Sequence, residues 1–112
     1  MTTHEIPDHT VTEAVTAWPG ITTEYGSRGE FSFRLGRREI GHLHGDRVAH
    51  FGFPRGVWDE LMRDGIVQKH PIDKPGWAAR RIAGPEDVAI VITLMRLNYD
   101  RVVARHGVPA PA

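Results

Sequence analysis

Hydrophobic residues near the start of the chain recur at helical spacing from Val11 to Trp18, and Pro19 follows directly. A proline at this point ends a helix, and Thr10 is a residue type that caps helix N-termini. The pattern therefore predicts a short amphipathic helix over residues 10–18.

The spacing changes to period two between residues 21 and 53. Residues 21–25 are rich in β-prone types, and large apolar residues alternate with polar ones over 31–35. Two further runs, 39–44 and 48–53, are separated from each other by a Gly-Asp turn. Alternation bounded by turn residues is typical of half-buried strands, so this stretch predicts an antiparallel meander.

One irregularity stands out in the third strand. Ile40 and Leu43 break strict alternation, and Gly41 lies between them. A glycine inside a strand often marks a β-bulge or a close approach of another chain segment. We expect one of these at Gly41.

The second half predicts a helix after Pro54, strands over 66–70 and 77–82, and a long final helix from Pro85 to Gly107. The class is α+β, an antiparallel sheet meander with packed helices in the order α-β-β-β-β-α-β-β-α.

The boundaries follow from the same pattern. A single domain is expected over residues 10–107, with a disordered start at 1–9 and a disordered tail at 108–112. The apolar face of the last helix, residues 88–102, is broad enough to need cover on more than one side. The sheet plus another helix could supply it, or a second copy of the chain in a homodimer.

Composition narrows the class of protein. The 112 residues carry 14 basic and 14 acidic side chains, and there is no cysteine. Disulfide scaffolds and thiolate metal sites are excluded, and a neutral chain is a poor candidate for bulk nucleic-acid binding. No apolar run approaches the roughly 20 residues of a membrane span, and the acidic start is unlike a secretory signal. The expected compartment is the cytoplasm, with no membrane partner.

The charges are unevenly distributed. Residues 1–30 hold five acidic residues and one basic one, whereas residues 31–81 hold ten basic and six acidic ones. An arginine-rich sheet face could contact phosphate, nucleic acid or another protein. Its members would be Arg34, Arg37, Arg38 and Arg47.

The densest candidate chemistry lies in the third strand and the turn after it. His42 and His44 are two residues apart and share a face of a strand, and Asp46 would join them if the strand continued. Two imidazoles and a carboxylate could hold a divalent metal such as zinc. The same residues could instead act as general acid or base, or form hydrogen bonds on a solvated face. His50 and His70 could lie nearby.

A second group surrounds a tryptophan at a loop–strand junction. Trp77 beside Arg80 could form a platform for a planar anionic ligand, and His70 would complete this ligand-binding set. The alternative is a core tryptophan that closes the end of the sheet.

Several blocks, taken in order, resemble the luciferase-domain family, which occurs as short bacterial proteins and within fungal ones. The blocks are residues 33–46, Phe53-Pro54, 58–61, His70, Gly76-Trp77 and 94–101. The resemblance implies an α+β domain with motif positions at His42, His44, Asp46, His70 and Trp77. It implies no particular reaction, and the flavin-dependent luciferases are TIM barrels of about 250 residues, a different fold.

These observations favour a luciferase-like domain that binds a small-molecule ligand or a metal at a histidine-rich sheet site. His42, His44 and Asp46 are the candidate catalytic and metal-binding residues. The alternatives are an interaction module that uses the arginine-rich face and a homodimer formed through residues 88–102. The pattern is compatible with both a binding domain and an enzyme.

Overall fold

The computed structural model describes residues 5–45 and 47–110, with side chains described from residue 10 onwards. The predicted α+β class and element order are confirmed. The elements are α1 (Glu5–Thr16), β1 (Ile21–Tyr25), β2 (Phe31–Leu35), β3 (Arg38–His44), β4 (Val48–Gly52), α2 (Arg55–Arg63), β5 (Gln68–Lys69), β6 (Trp77–Arg81) and α3 (Pro85–His106).

The six strands form one antiparallel sheet in the order β1-β2-β3-β4-β6-β5. The first four strands are the predicted meander. The chain then leaves β4 through α2 and returns as the edge strand β5, so that β6 lies between β4 and β5.

One face of the sheet packs against α1 and α3, which also contact each other. Alternate residues of each central strand point to this face, and they join the apolar stripes of the helices in one core. The largest fully buried side chains are Phe33, Leu35, Ile40, Leu43, Met95, Val11, Val15 and Val91. The other face of the sheet carries the polar side chains.

Helix α3 is fixed to the rest of the fold by two polar side chains. Buried Asn98 donates hydrogen bonds to the carbonyl oxygens of Ile40 and Gly52, each at 3.1 Å. The Tyr99 hydroxyl donates to the Pro19 carbonyl oxygen at 2.6 Å. The broad apolar face of α3 thus finds cover within the chain, on the sheet and α1. A homodimer through residues 88–102 stays a prediction.

Two elements, α1 and β5, differ from their predicted bounds by more than one residue. Helix α1 covers Glu5–Thr16 rather than residues 10–18, so Thr10 lies inside the helix and not at its N-cap. Pro7 is tolerated because it falls in the first turn, where its missing N–H would have no helical partner. At the other end, Trp18 closes a turn onto the Val15 carbonyl.

Strand β5 is also shorter than the predicted run over 66–70. The backbone N–H groups of Ile66 and Val67 both donate to the Leu61 carbonyl, so this segment is still tied to the end of α2. Only Gln68–Lys69 pair with β6. Among the described helices, none combines the length and hydropathy needed to span a membrane.

Candidate metal centre

The strand register brings two predicted histidines beside a third. His42 of β3 pairs directly with His50 of β4, which in turn pairs with Ala79 of β6. Directly paired residues share a face of the sheet, and His44 lies two residues along from His42 on that face. A Cβ at neighbouring Gly41 would meet Met95 of α3, so the histidines lie on the face opposite to the helices.

Three imidazole rings converge on this face. The ring centroids of His42 and His44 are 5.0 Å apart, those of His42 and His50 are 5.2 Å apart, and those of His44 and His50 are 4.6 Å apart. Each ring offers one nitrogen, and these nitrogens all lie within 4.8 Å of one another. We call His42, His44 and His50 the histidine triad.

A β-bulge supplies the triad with a carboxylate. The register between β2 and β3 shifts at Phe33/Arg34, so that Gly41 pairs with Phe33 and Glu39 with Arg34. Ile40 is left as the extra residue. In a regular strand, residues three apart point to opposite faces, but the bulge returns Glu39 to the face of His42. The predicted irregularity at Gly41 is confirmed, and the Met95 contact adds the expected close approach.

The carboxylate of Glu39 orients the first ring of the triad. His42 Nδ1 lies 2.7 Å from Glu39 Oε2, a distance at which Nδ1–H donates to the carboxylate. In the neutral ring this hydrogen bond leaves the lone pair on Nε2. Metal-binding histidines typically hold the second nitrogen in this way, which fixes the tautomer and the ring orientation.

A buried serine supports the same carboxylate. Burial by itself raises the pKa of Glu39, but hydrogen bonds from His42 and Ser32 outweigh it, and the pKa lies below its ordinary value. Ser32 is only 5% exposed and pairs with His42 across the β2–β3 ladder. Glu39 is therefore held as a charged acceptor.

His50 is the buried member of the triad, with 7% of its surface exposed. Burial lowers its pKa to about 4, and the neighbouring rings of His70 and His44 add to this effect. The described residues give its ring nitrogens no hydrogen-bond partner, since its contacts there are with other rings. A neutral imidazole with a free lone pair is the form that binds a metal.

The pKa of His44 is lowered as well, first by burial and then by the neighbouring His42. Glu30 acts in the opposite direction and raises the pKa of His44, but it does not reverse the shift. Burial and a like-charged neighbour both disfavour the protonated form, so His44 and His50 are mostly uncharged near neutral pH.

His70 extends the cluster without joining the triad. Its ring centroid is 4.2 Å from that of His50, and burial followed by the charge of His42 lowers its pKa. His70 Nδ1 accepts a hydrogen bond from the backbone N–H of Ile72 at 2.9 Å. In its neutral form the ring therefore carries its proton on Nε2, and neither nitrogen has a free lone pair for a metal.

Trp77 lies beside His70 on the same face, with ring centroids 5.1 Å apart. The Lys74 ammonium lies 4.8 Å from the Trp77 ring centroid. The ring is half-buried, and the Trp58 indole N–H donates to the Trp77 carbonyl oxygen at 2.9 Å. The predicted pair of His70 and Trp77 is thus brought together.

Arg80 does not share this face. It pairs with buried Ala49, a core residue, and alternation turns it away from Trp77. Its guanidinium group lies 2.5 Å from the Asp87 carboxylate and donates to the Ile66 carbonyl at 2.9 Å. The structure therefore gives Arg80 a bridging position between β6 and the start of α3. Asp46, the third predicted metal ligand, lies outside the described residues.

The four predicted arginines do not form one surface. Arg34 contacts the Glu24 carboxylate at 3.7 Å and donates to the Arg37 carbonyl. Arg38 lines a groove at the end of α3 with Arg101 and Arg105. Arg47 lies at the groove beside His44, described below.

The fold and this site define a small α+β domain whose open sheet face carries a histidine cluster. Residues 37–98 match the sequence model of the Luciferase domain family, a match that covers more than half of the chain. The chain belongs to the Luciferase domain family. No curated protein and no solved structure matches it.

Sequence reasoning named His50 as a neighbour but did not include it among the ligands, and it missed Glu39 and Ser32. The position of His50 depends on the register between β3 and β4, which sequence spacing leaves open. The broken alternation at Ile40 was the available signal for Glu39, because a bulge places residues three apart on one face.

Proposed function

We propose that this Luciferase-domain protein binds a divalent metal ion, with zinc as the expected ion, through the histidine triad. The convergence of His42, His44 and His50, with candidate ligand atoms within 4.8 Å of one another, carries the proposal. Zinc–nitrogen bonds of about 2.0–2.1 Å place the nitrogens of a tetrahedral site roughly 3.3–3.4 Å apart. Metal binding would therefore require the three rings to move closer together.

Three further observations support a metal. The lowered pKa of His50 keeps its ring neutral, which spares the metal the cost of displacing a proton. Glu39 holds Nδ1 of His42 and leaves Nε2 to coordinate. The ring nitrogens of buried His50 have no hydrogen-bond partner among the described residues, and a metal would satisfy one of them.

A site with three histidine ligands is the type in which zinc keeps one position for water or substrate. The proposal therefore includes a small ligand at that position. In this account His42, His44 and His50 are metal ligands, and His70 with Trp77 forms a wall of the ligand site. The general acid–base role of His42 or His44 is the alternative, and Asp46 stays a predicted contributor.

Elemental analysis after gentle purification without chelators tests the proposal. We expect about one zinc per chain, together with a rise in melting temperature of about 11 °C when a stripped sample is supplied with zinc at about 100 times its Kd. His106→Ala, a histidine at the end of α3, is the matched control and should behave like the parent. A metal-free protein whose melting temperature ignores zinc, cobalt and nickel would overturn the proposal.

The interaction module that uses the arginine-rich segment stays a prediction, as does the homodimer. A fluorescence titration with nucleic acid at several salt concentrations tests the first, since phosphate contacts weaken steeply with salt. Light scattering at high protein concentration tests the second.

A further inference from the structure

An open groove of about 960 Å³ runs along the sheet from the histidine triad towards the end of β6. His44 and His50 line one part of it, and Arg47 and Arg81 line another. The groove thus joins two members of the triad to three arginines, of which Arg80 is paired with Asp87.

The register explains why these side chains meet. His44 pairs with Val48 of β4, and Val48 pairs with Arg81 of β6, so the three lie in one row across the sheet. Paired residues share a face, and Arg81 is therefore on the face of the histidines. Arg81 is also two residues along from Ala79, the direct partner of His50.

Arg47 reaches the groove from the turn between β3 and β4. Its backbone carbonyl accepts a hydrogen bond from the Ile82 N–H at 2.9 Å, which ties the turn to the end of β6. The two arginines therefore come from adjacent parts of the fold and are both exposed to solvent.

The described carboxylates at or near the groove are paired with groups other than Arg47 and Arg81. Asp87 is the acidic side chain among the described lining residues, and it is held by Arg80 and by the N–H groups of Ala83 and Gly84. Lys69 contacts the Asp73 carboxylate at 3.2 Å. Among the side chains of residues 10–45 and 47–110, neither Arg47 nor Arg81 has a carboxylate partner.

We infer that this groove binds a phosphate group, as a phosphate monoester or as free phosphate, with one phosphate oxygen on the triad's metal and others on Arg47 and Arg81. This inference rests on the proposed metal site. Guanidinium groups match phosphate oxygens in planar, two-point contacts, and a divalent cation adds the charge that a phosphate dianion needs. The open groove leaves room for the rest of an ester.

Phenyl phosphate is the probe, titrated by calorimetry into the zinc-loaded protein and into the zinc-free protein. We expect binding to the zinc-loaded protein, at least about tenfold weaker binding to the zinc-free protein, and a similar loss in the double variant Arg47→Gln/Arg81→Gln. Phenol, which lacks the phosphate, should not bind. Inorganic phosphate as competitor separates a site for the free ion from a site that needs the ester.

Arg55→Gln/Arg63→Gln on α2 is the matched control, since it removes two exposed arginines away from the groove. Both double variants should retain the zinc affinity of the parent, which separates this proposal from the metal site. If zinc binds but phenyl phosphate does not, or if the Arg47/Arg81 variant binds it like the parent, the phosphate proposal is overturned and the metal site stands. If zinc does not bind, the metal site fails, and with it the metal-linked phosphate site.

Discussion

His42 donates from Nδ1 to a carboxylate oxygen of Glu39 at 2.7 Å, although the two residues are three apart on one strand. A regular strand would place them on opposite faces. The bulge at Ile40 is what joins them, and buried Ser32 holds the same carboxylate from the neighbouring strand. The irregular part of the sheet is thus the part that orients the His42 ring.

Removing the charge of Glu39 should weaken metal binding without unfolding the domain. We expect Glu39→Gln to reduce zinc affinity about 10–100-fold, because a neutral amide oxygen accepts more weakly than a carboxylate and the amide NH2 can instead donate to Nδ1 of His42. Competition with a chelator of known affinity measures the change. Glu24→Gln, an exposed glutamate on β1, is the control and should leave the affinity as it was. Equal affinities for Glu39→Gln and the parent would contradict the assigned role.

The buried histidine should make the zinc-free protein sensitive to acid. The pKa of His50 is lowered to about 4 in the folded state, whereas an unfolded histidine titrates near 6.5. Between these values the unfolded chain binds more protons, so the free energy of unfolding falls as the pH falls from about 6.5 to 4. The contribution of His50 is on the order of 3 kcal/mol.

Urea unfolding of the parent and of His50→Asn at pH 7 and pH 4.5, both with chelator, measures this effect. The parent should lose more stability than the variant, and an NMR titration of the ring protons should place the pKa of His50 well below 6. His106→Asn serves as the control for loss of a histidine elsewhere. A pKa of His50 near 6.5 in the folded protein would contradict this prediction.

Gly41 should not accept a side chain. An added Cβ would lie 2.7 Å from Met95 Sδ and 3.0 Å from Phe51 Cδ1, both in the core. Overpacking of this kind costs about 1–3 kcal/mol, so Gly41→Ala should lower the free energy of unfolding by that amount. Gly52→Ala is the matched control in the adjacent strand, where nothing lies within 4 Å of the new Cβ. Equal stabilities of the two variants would contradict this prediction, because the core would then have room for a side chain at Gly41.

Asn98 should contribute more to stability than other polar residues on α3. Its amide donates to the carbonyls of Ile40 and Gly52, which joins two strands to the helix. Asn98→Ala leaves both acceptors without this donor and should cost about 2–3 kcal/mol by chemical denaturation. Thr93→Ala removes only an exposed hydrogen bond to the Ala89 carbonyl and should cost much less. If Asn98→Ala lowers the free energy of unfolding no more than Thr93→Ala does, this prediction is wrong.

Much of the fold could be predicted because its signals are local. Period-two spacing, turn residues and the helix boundaries at Pro85 and Gly107 each depend on a few neighbouring residues, and the structure confirms the order of elements. The bounds of α1 and β5 were predicted less accurately. They depend on contacts such as the hydrogen bonds from Ile66 and Val67 to Leu61, which a local pattern does not contain.

The candidate site was only partly predictable for a related reason. His42 and His44 share a face by spacing alone, so sequence could pair them. His50 joins them through the register between β3 and β4. Glu39 joins them through a β-bulge, which the sequence suggested at Gly41 without giving the register of the strands. Arg80 and Trp77 were grouped by closeness in sequence, whereas alternation along β6 separates their faces.

Calorimetric titration of zinc into the chelator-treated protein asks directly whether the three histidines of the triad hold a metal ion. We expect one ion per chain, with little proton release from His44 and His50, because the pKa of each lies below its ordinary value. Zinc binding should be lost in His42→Ala, His44→Ala and His50→Ala, whereas His106→Ala should bind zinc like the parent. Failure of the folded parent to bind zinc, or full binding by the folded triad variants, would contradict the claim that these three histidines form a metal centre.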